Sequence, residues 1–431
     1  MMNMIVVPLL IISAFMGVPL FLIIAGGALY GYYVAGDMIS GIFIEVYKIA
    51  TNPVLMAIPL FTFAGYLMAE SKTPQRIINL SRALLGWLPG GVPIVVLISC
   101  AFFTAFTGAS GVTIIALGGL LLPVLLKEGY KEKFSLGLLT TSGSLGLLFP
   151  PSLPVILYAV IAGSAYSGLE TGIPITVDKL FLASLLPGIL LMIVLAAYGI
   201  RNAGLSMVPR QSFNFKMLLA ALKEAKWEVP LPVIVLWGIY GGYFTASEAS
   251  AITALYVLLV EMFIYKEISF RRELPKIIKE SSVLVGGIIV IIGMALSFTN
   301  YLIEQEVPAY LVSQLKLYIT SKFAFLLVLN VFLLIVGCMM DIFSAILVVV
   351  PLIIPIAHQY GVNPLHLGVI FLVNLEIGYL TPPVGLNLFI ASFRFKKPLV
   401  DIYRVSIPYI ILLILCLIVI TYVPWLSLVF V

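Results

Sequence analysis

The stretch Gly146-Leu147-Leu148-Phe149-Pro150-Pro151-Ser152 sets two prolines in the middle of an apolar run, and Gly378-Tyr379-Leu380-Thr381-Pro382-Pro383 does the same 232 residues later. Pro123 and Gly129 recur at that same spacing, as Pro355 and Gly361. Five helix-breaking residues at one gapless offset are improbable as coincidence, so the chain reads as two copies of one unit. Proline lacks a backbone donor and disfavours helix in the residue before it, so each pair is expected to split a helix and leave carbonyls free. Freed carbonyls suit a sodium ion, and half-helix N-termini suit an anion.

Working outward, each proline pair follows an apolar segment whose arms are too short to cross a bilayer singly. Val92 to Phe106 and Val112 to Leu126 flank Thr107-Gly108-Ala109-Ser110-Gly111, and residues 323–357 are interrupted at Gly337 to Asp341. A hydrocarbon core takes about 20 helical residues. Residues 92–126 and 323–357 are therefore expected to be re-entrant hairpins, followed by broken helices at 134–163 and 367–393. Non-helical backbone at that depth is tolerated only inside protein or beside water.

Composition supports this reading. The chain of 431 residues is 62% hydrophobic and 10% charged, with a mean hydropathy of +1.18, whereas soluble domains are about 25% charged. The expected fold class is an all-α polytopic membrane protein. The net charge of +5 does not imply nucleic acid, because Lys and Arg in such proteins mark cytoplasmic loops. Five basic loops hold 20 of the 24 Lys and Arg: Lys72 to Arg82, Lys127 to Lys133, Arg201 to Lys226, Lys266 to Lys279 and Arg394 to Arg404. If all are cytoplasmic, residues 92–126 enter and leave on one side, and the loop with Glu170 and Asp178 is external. Lys127 to Lys133 is basic while His358 to His366 carries no Lys or Arg, so the two copies are expected to be inverted. The domain expectation is a first repeat at 1–203, a connector at 204–228 with an amphipathic helix near Met217 to Ala225, and a second repeat at 229–431. Residues 229–265 are expected to turn back at Gly241 to Thr245. The first apolar run lacks a basic start and a cleavage site, so it is expected to remain as a helix. Cys100, Cys338 and Cys416 lie in apolar runs without metal-ligand spacing, and His358 and His366 are too few for a metal site.

Each motif has a plainer reading. A lone proline pair kinks a helix, and small residues such as those at 107–111 allow close helix packing. Hydroxyls in Thr140-Thr141-Ser142-Gly143-Ser144 can back-bond to helix carbonyls. Repetition beside a hairpin favours the transport reading. Asp341 and Glu376 are ionisable groups in apolar segments, where such groups usually face a cavity or a partner. Asp341 falls at a hairpin tip and is assigned to an ion site; Glu376 is left out of it, since it suits equally an inter-helix hydrogen bond near Asn374 or a partner subunit. Gly108-Ala109-Ser110-Gly111 also matches the serine motif of rhomboid-type intramembrane proteases, which need a histidine base. The histidines lie near an external turn, and that reading leaves the duplication unexplained.

Ile58-Pro59-Leu60-Phe61 with Ala64-Gly65, Gly146 to Pro154, Phe244-Thr245 with Glu248-Ala249, and Asn374 to Asn387 with its Leu-Thr-Pro-Pro-Val-Gly-Leu-Asn together resemble the large membrane subunit of tripartite ATP-independent periplasmic (TRAP) transporters, within the ion-transporter superfamily. The resemblance covers nearly the whole chain. It implies an elevator carrier in a bacterial or archaeal cytoplasmic membrane, importing a small organic acid with sodium as coupling ion and no other cofactor. Its expected partners are a small four-helix membrane subunit and a soluble periplasmic binding protein. By that similarity one sodium sits among Thr107, Gly108, Ser110, Gly146, Phe149 and Pro151, and another among Gly337, Met340, Asp341, Gly378, Thr381 and Pro383. Substrate is expected near Ser110, Ser152, Ser344 and Asn387. The family's first tip often reads Ser-Gly-Ser, and this chain departs from it with Thr107-Gly108-Ala109-Ser110. A stand-alone sodium:anion symporter of the same architecture is the alternative.

Overall fold

The computed structural model describes residues 6–431 apart from 7, 11, 14–15, 17, 37, 52, 89, 167–174 and 206–212. Glu170 and part of the expected connector thus lie outside the described residues. All regular structure among the described residues is helical, as lipid demands of segments that must satisfy their own backbone polar groups. Among the described residues eight helices are long and apolar enough to cross a membrane, or nine when one bent pair is counted as a span. Ser110–Lys127, Lys322–Met339 and Ile342–Gln359 are three of them, so the expectation that each of these arms is too short does not hold.

In chain order the elements are α1 (Leu20–Ala35), α2 (Ser40–Thr51), α3 (Ala57–Glu70), α4 (Thr73–Leu85), α5 (Gly91–Thr107), α6 (Ser110–Lys127), α7 (Glu132–Ser142), α8 (Leu153–Tyr166) and α9 (Val177–Leu205). There follow α10 (Phe215–Glu224), α11 (Pro230–Tyr240), α12 (Ala246–Leu259), α13 (Glu273–Glu304), α14 (Val307–Tyr318), α15 (Lys322–Met339), α16 (Ile342–Gln359), α17 (Pro364–Gly378), α18 (Leu386–Phe395) and α19 (Leu399–Tyr422). The amphipathic helix of the connector is α10, and the turn near Gly241 separates α11 from α12. There Thr245 and Glu248 form a reciprocal capping box that satisfies two otherwise orphaned donors. The basic stretch Lys72 to Arg82, expected to be a loop, is instead the amphipathic helix α4, started by Pro74 in its first turn, where proline's missing donor costs nothing. The short helix α14, absent from the sequence reading, follows Glu306.

Two bodies of packing emerge. Helices α1, α2 and α3 lie against α13, and α12 lies against α3. In the other body, α5 and α6 form the first hairpin and α15 and α16 the second, and each reaches across the chain. The arm α6 packs on α18, and the arm α16 packs on α8. The hairpins therefore interlock the two halves of the sequence.

Helix α4 leaves the first body and leads into the first hairpin, and one buried cluster fixes its start. Arg76 Nη1 lies 2.7 Å from Glu228 Oε1 and 3.8 Å from Glu261 Oε1, while Nη2 lies 2.5 Å from Glu267 Oε1. Thr73 Oγ1 donates to Glu261 Oε1 at 2.7 Å, and Tyr265 donates to Glu228 Oε2 at 2.9 Å. The Tyr265 ring lies under the guanidinium, 3.5 Å from its carbon. Burial alone disfavours the charged Arg76, but the hydrogen bond and charge of Glu228 outweigh it and hold its pKa above the ordinary arginine value.

Candidate functional site

At the first break α7 ends at Ser142, a single 3-10 turn spans Leu145–Leu148, and the Pro150-Pro151 bond is cis before α8 begins. The two helical parts meet at 44°. The carbonyls expected to be free are in part engaged. Leu147 O accepts from the Ser152 hydroxyl, Leu148 O accepts from Ser184 Oγ at 2.7 Å, and Phe149 O accepts from Ser152 N at 3.1 Å. Ser152, expected beside substrate, is fully buried and closes the break with its side chain. Phe149 turns its ring toward Gly188 of α9.

Gly146 is pressed onto the last turns of α5: a Cβ there would lie 2.2 Å from Ala101 O and 2.6 Å from Ala105 N. Thr104 Oγ1 bridges the same seam, donating to Gly143 O at 2.8 Å and lying 2.6 Å from Thr113 Oγ1. At the tip, Gly108 adopts φ +65°, a conformation that costs glycine little, and abuts Leu153 at the start of α8.

The second break repeats the seam with other atoms. A Cβ on Gly378 would lie 2.5 Å from the Cα and carbonyl carbon of Gly337. Gly385 N donates to Cys338 O at 3.0 Å, and Ile342 N donates to the Tyr379 hydroxyl at 2.6 Å. Pro382-Pro383 is cis, Pro383 O accepts from Tyr403 at 2.6 Å, and Thr381 Oγ1 donates to Ile377 O at 2.9 Å. Gly337, Met340, Gly378, Thr381 and Pro383 thus share one region. Tyr379, Ser184 and Thr104 were missed in the sequence. Tyr379 carried a signal, since a phenol inside a buried break needs a partner.

Asp341 has a local task. Its Oδ1 accepts from Phe343 N and Ser344 N at 3.0 Å each, and Oδ2 accepts from the Ser344 hydroxyl. This is an N-cap of α16. Loss of such a cap costs about 1 kcal/mol while Asn caps as well as Asp. Asp341→Ala is therefore expected to lower the apparent melting temperature, and Asp341→Asn to leave it unchanged. Reduced sodium affinity in the stable Asn variant, measured by sodium-dependent thermal shift, would add an ion-binding role to the cap.

The two halves meet where the tips end. Ser110 Oγ donates to Asn387 Oδ1 at 2.7 Å, both residues being buried. These residues open α6 and α18, and Gly108 against Leu153 adds the start of α8, so three helix N-termini converge on the first tip. Asn387 Nδ2 and Thr107 Oγ1 are buried there without a hydrogen-bond partner. Deeper inside, Glu376 is buried with the Ser144 hydroxyl of the first break as its hydrogen-bonding neighbour across the helices, and the nearby Asn374 donates to Asn330 at 2.7 Å. Among the described residues no three His, Cys, Asp or Glu side chains cluster as metal ligands. The protease reading fails on geometry, because the Ser110 hydroxyl is spent on Asn387, and His366 is held by Ser427 Oγ and Thr421 O at 3.1 and 3.2 Å.

Known proteins resemble the chain over most of its length. Residues 3–426 match the family described as "Tripartite ATP-independent periplasmic transporter, DctM component". The C4-dicarboxylate TRAP transporter large permease of Pseudomonas aeruginosa is 35% identical over 93% of this chain and 92% of its own length. The isethionate TRAP transporter permease DctMQ of Oleidesulfovibrio alaskensis is 36% identical over 86% of this chain and 57% of its own. The ectoine/5-hydroxyectoine large permease of Ruegeria pomeroyi is 28% identical over 94% and 92%. In fold, the YdaH transporter of Alcanivorax borkumensis is similar at a TM-score of 0.63 and 14% identity, covering 89% of this chain and 87% of that one. With matches of this extent to permeases rather than enzymes, the chain belongs to the DctM family, the large permease component of tripartite ATP-independent periplasmic transporters.

Proposed function

We propose that this permease imports a small organic acid across the cytoplasmic membrane by an elevator motion driven by sodium. The observation that carries the reading is the convergence of the α6, α8 and α18 N-termini around Ser110 and Asn387. Helix N-termini attract anions, and the unpartnered Asn387 Nδ2 is a donor for a substrate carboxylate. Relatives named for C4-dicarboxylate, isethionate and ectoine make a C4-dicarboxylate the first substrate to test.

A hard cation takes oxygen ligands, and the buried, unpartnered Thr107 hydroxyl fits one at the first tip. Thr107, Gly108, Ser110, Gly146, Phe149 and Pro151 would hold one sodium. Gly337, Met340, Asp341, Gly378, Thr381 and Pro383 would hold another, Asp341 through oxygen lone pairs left by its cap. Bound there, sodium supplies positive charge beside the anion. The matched seams at Gly146 and Gly378 support two repeats, 1–203 and 229–431, inverted in the membrane, with both hairpins and both broken helices in the moving body. The partners are a small membrane subunit and a periplasmic binding protein, consistent with the word "tripartite" in the family description.

Uptake of succinate into proteoliposomes holding this chain, its small partner and the binding protein is expected only with an inward sodium gradient. It is expected to vanish when the binding protein is left out. Uptake by the chain alone would establish the stand-alone symporter in its place, and sodium-independent uptake would defeat both readings.

A further inference from the structure

Two of the basic stretches meet at one end of the interlocked body, where Lys397 Nζ lies 2.7 Å from Glu132 Oε1. A cleft of about 490 Å³ opens there between α7, α9 and α19. Its rim carries Lys131, Lys133, Lys397 and Arg404, and its floor is Phe134 and Tyr409. Among these charges, Lys397 is paired with Glu132, and Arg404 lies 4.0 Å from Asp401. Lys131 and Lys133 have no acidic partner within 4.0 Å among the described residues, so the rim keeps two uncompensated positive charges.

The floor is aromatic. The Phe134 ring stacks on Tyr130 at 5.6 Å and touches the rings of Tyr198 and Tyr409, and the Tyr409 hydroxyl donates to Phe134 O at 2.8 Å. Beside the cleft, α19 exposes Ile407, Ile411 and Leu415 at 50%, 54% and 55%, one apolar stripe at a spacing of four residues. A free anion would use the rim alone; the stripe is surface for acyl chains.

We propose that this cleft binds the headgroup of an anionic phospholipid, with its acyl chains along the Ile407, Ile411 and Leu415 face of α19. Basic pockets between transmembrane helices on the cytoplasmic side bind such headgroups, and each Lys near the surface contributes attraction to the anionic leaflet. The headgroup phosphate sits between Lys131 and Lys133 and ties the start of α7 to α19.

The test is native mass spectrometry of the full chain in neutral detergent, titrated with phosphatidylglycerol, cardiolipin or phosphatidylcholine. Binding of the anionic lipids over phosphatidylcholine is expected, weakened about thirtyfold in Lys131→Ala/Lys133→Ala and kept in Lys131→Arg/Lys133→Arg. Both lysines are exposed, so neither variant disturbs the core. Equal binding of phosphatidylcholine, or an unchanged double alanine variant, would overturn the proposal. Displacement of the lipid by millimolar inorganic phosphate would overturn it as well, by making the cleft a site for free anions.

Discussion

Arg76→Ala is expected to destabilise the permease by about 3–5 kcal/mol, the cost of removing one partner from a buried ion pair. The residue left behind is not a single carboxylate but three, Glu228, Glu261 and Glu267, gathered around one guanidinium. Without it Glu228 and Glu261 repel each other in a buried setting, while the partly exposed Glu267 keeps Lys72 3.9 Å away. Arg76→Lys keeps the charge but loses the planar fork that reaches Glu228 and Glu267 at once, so it should recover only part of the loss. Glu261→Gln should behave in the opposite sense. Glu261 Oε2 has no partner and its Oε1 accepts from Thr73, so an amide keeps the bond and removes surplus negative charge. Apparent melting temperatures of the three variants in detergent read this directly. A Glu261→Gln loss as large as that of Arg76→Ala would show that the cluster is balanced as it stands.

Gly378→Val is expected to abolish transport while leaving the protein in the membrane. The valine Cβ would have to occupy space 2.5 Å from two backbone atoms of Gly337 and 2.9 Å from Cys338 N. Overpacking a core typically costs 1–3 kcal/mol, occasionally more; here backbone rather than a flexible side chain must yield, so the second hairpin must lift from its break. Gly146→Val should act alike at the first hairpin, against Ala101 O and Ala105 N. Gly286→Val and Gly287→Val are the controls, since nothing lies within 4 Å of a Cβ at either position on α13. Substrate uptake beside membrane abundance separates the outcomes: full uptake by the Gly378 variant would mean that the tight seam is dispensable.

The paired helices and the breaks were legible because breaker residues interrupt otherwise uniform apolar sequence; that the pairs re-enter the membrane was not, since three of the four arms are long and apolar enough to cross it. Thr107-Gly108-Ala109-Ser110 marked the first tip, and the observed arms Gly91–Thr107 and Ser110–Lys127 extend only slightly beyond the expected ones. Ser110 and Asn387 were grouped only through likeness to a family, and the hydrogen bond between them was not foreseen, because a bond across 277 residues leaves no local trace. The Arg76 cluster was invisible for the same reason: its partners lie far along the chain, and Lys72 to Arg82 read as a loop because its basic residues hid the apolar face of α4. Asp341 carried a second signal beside the one read from it. An Asp immediately before an apolar run is a helix-start signal, and the hydrogen bonds display that capping role. At the first break, Ser184 could not be foreseen as a donor to Leu148 O, since nothing in its own neighbourhood points there.

The interlocking of the halves sets an order on biosynthesis. The arm α6 rests on α18, and Ser110 leaves the ribosome 277 residues before its partner Asn387. At about 5–20 residues per second that interval is roughly 15–55 s. Throughout it the first tip is in or near the bilayer without the surface that will cover its polar groups. Its hydroxyl and turn backbone must then be kept hydrated or held by the insertion machinery, so a nascent chain stalled before α18 should be a preferred target of membrane quality control.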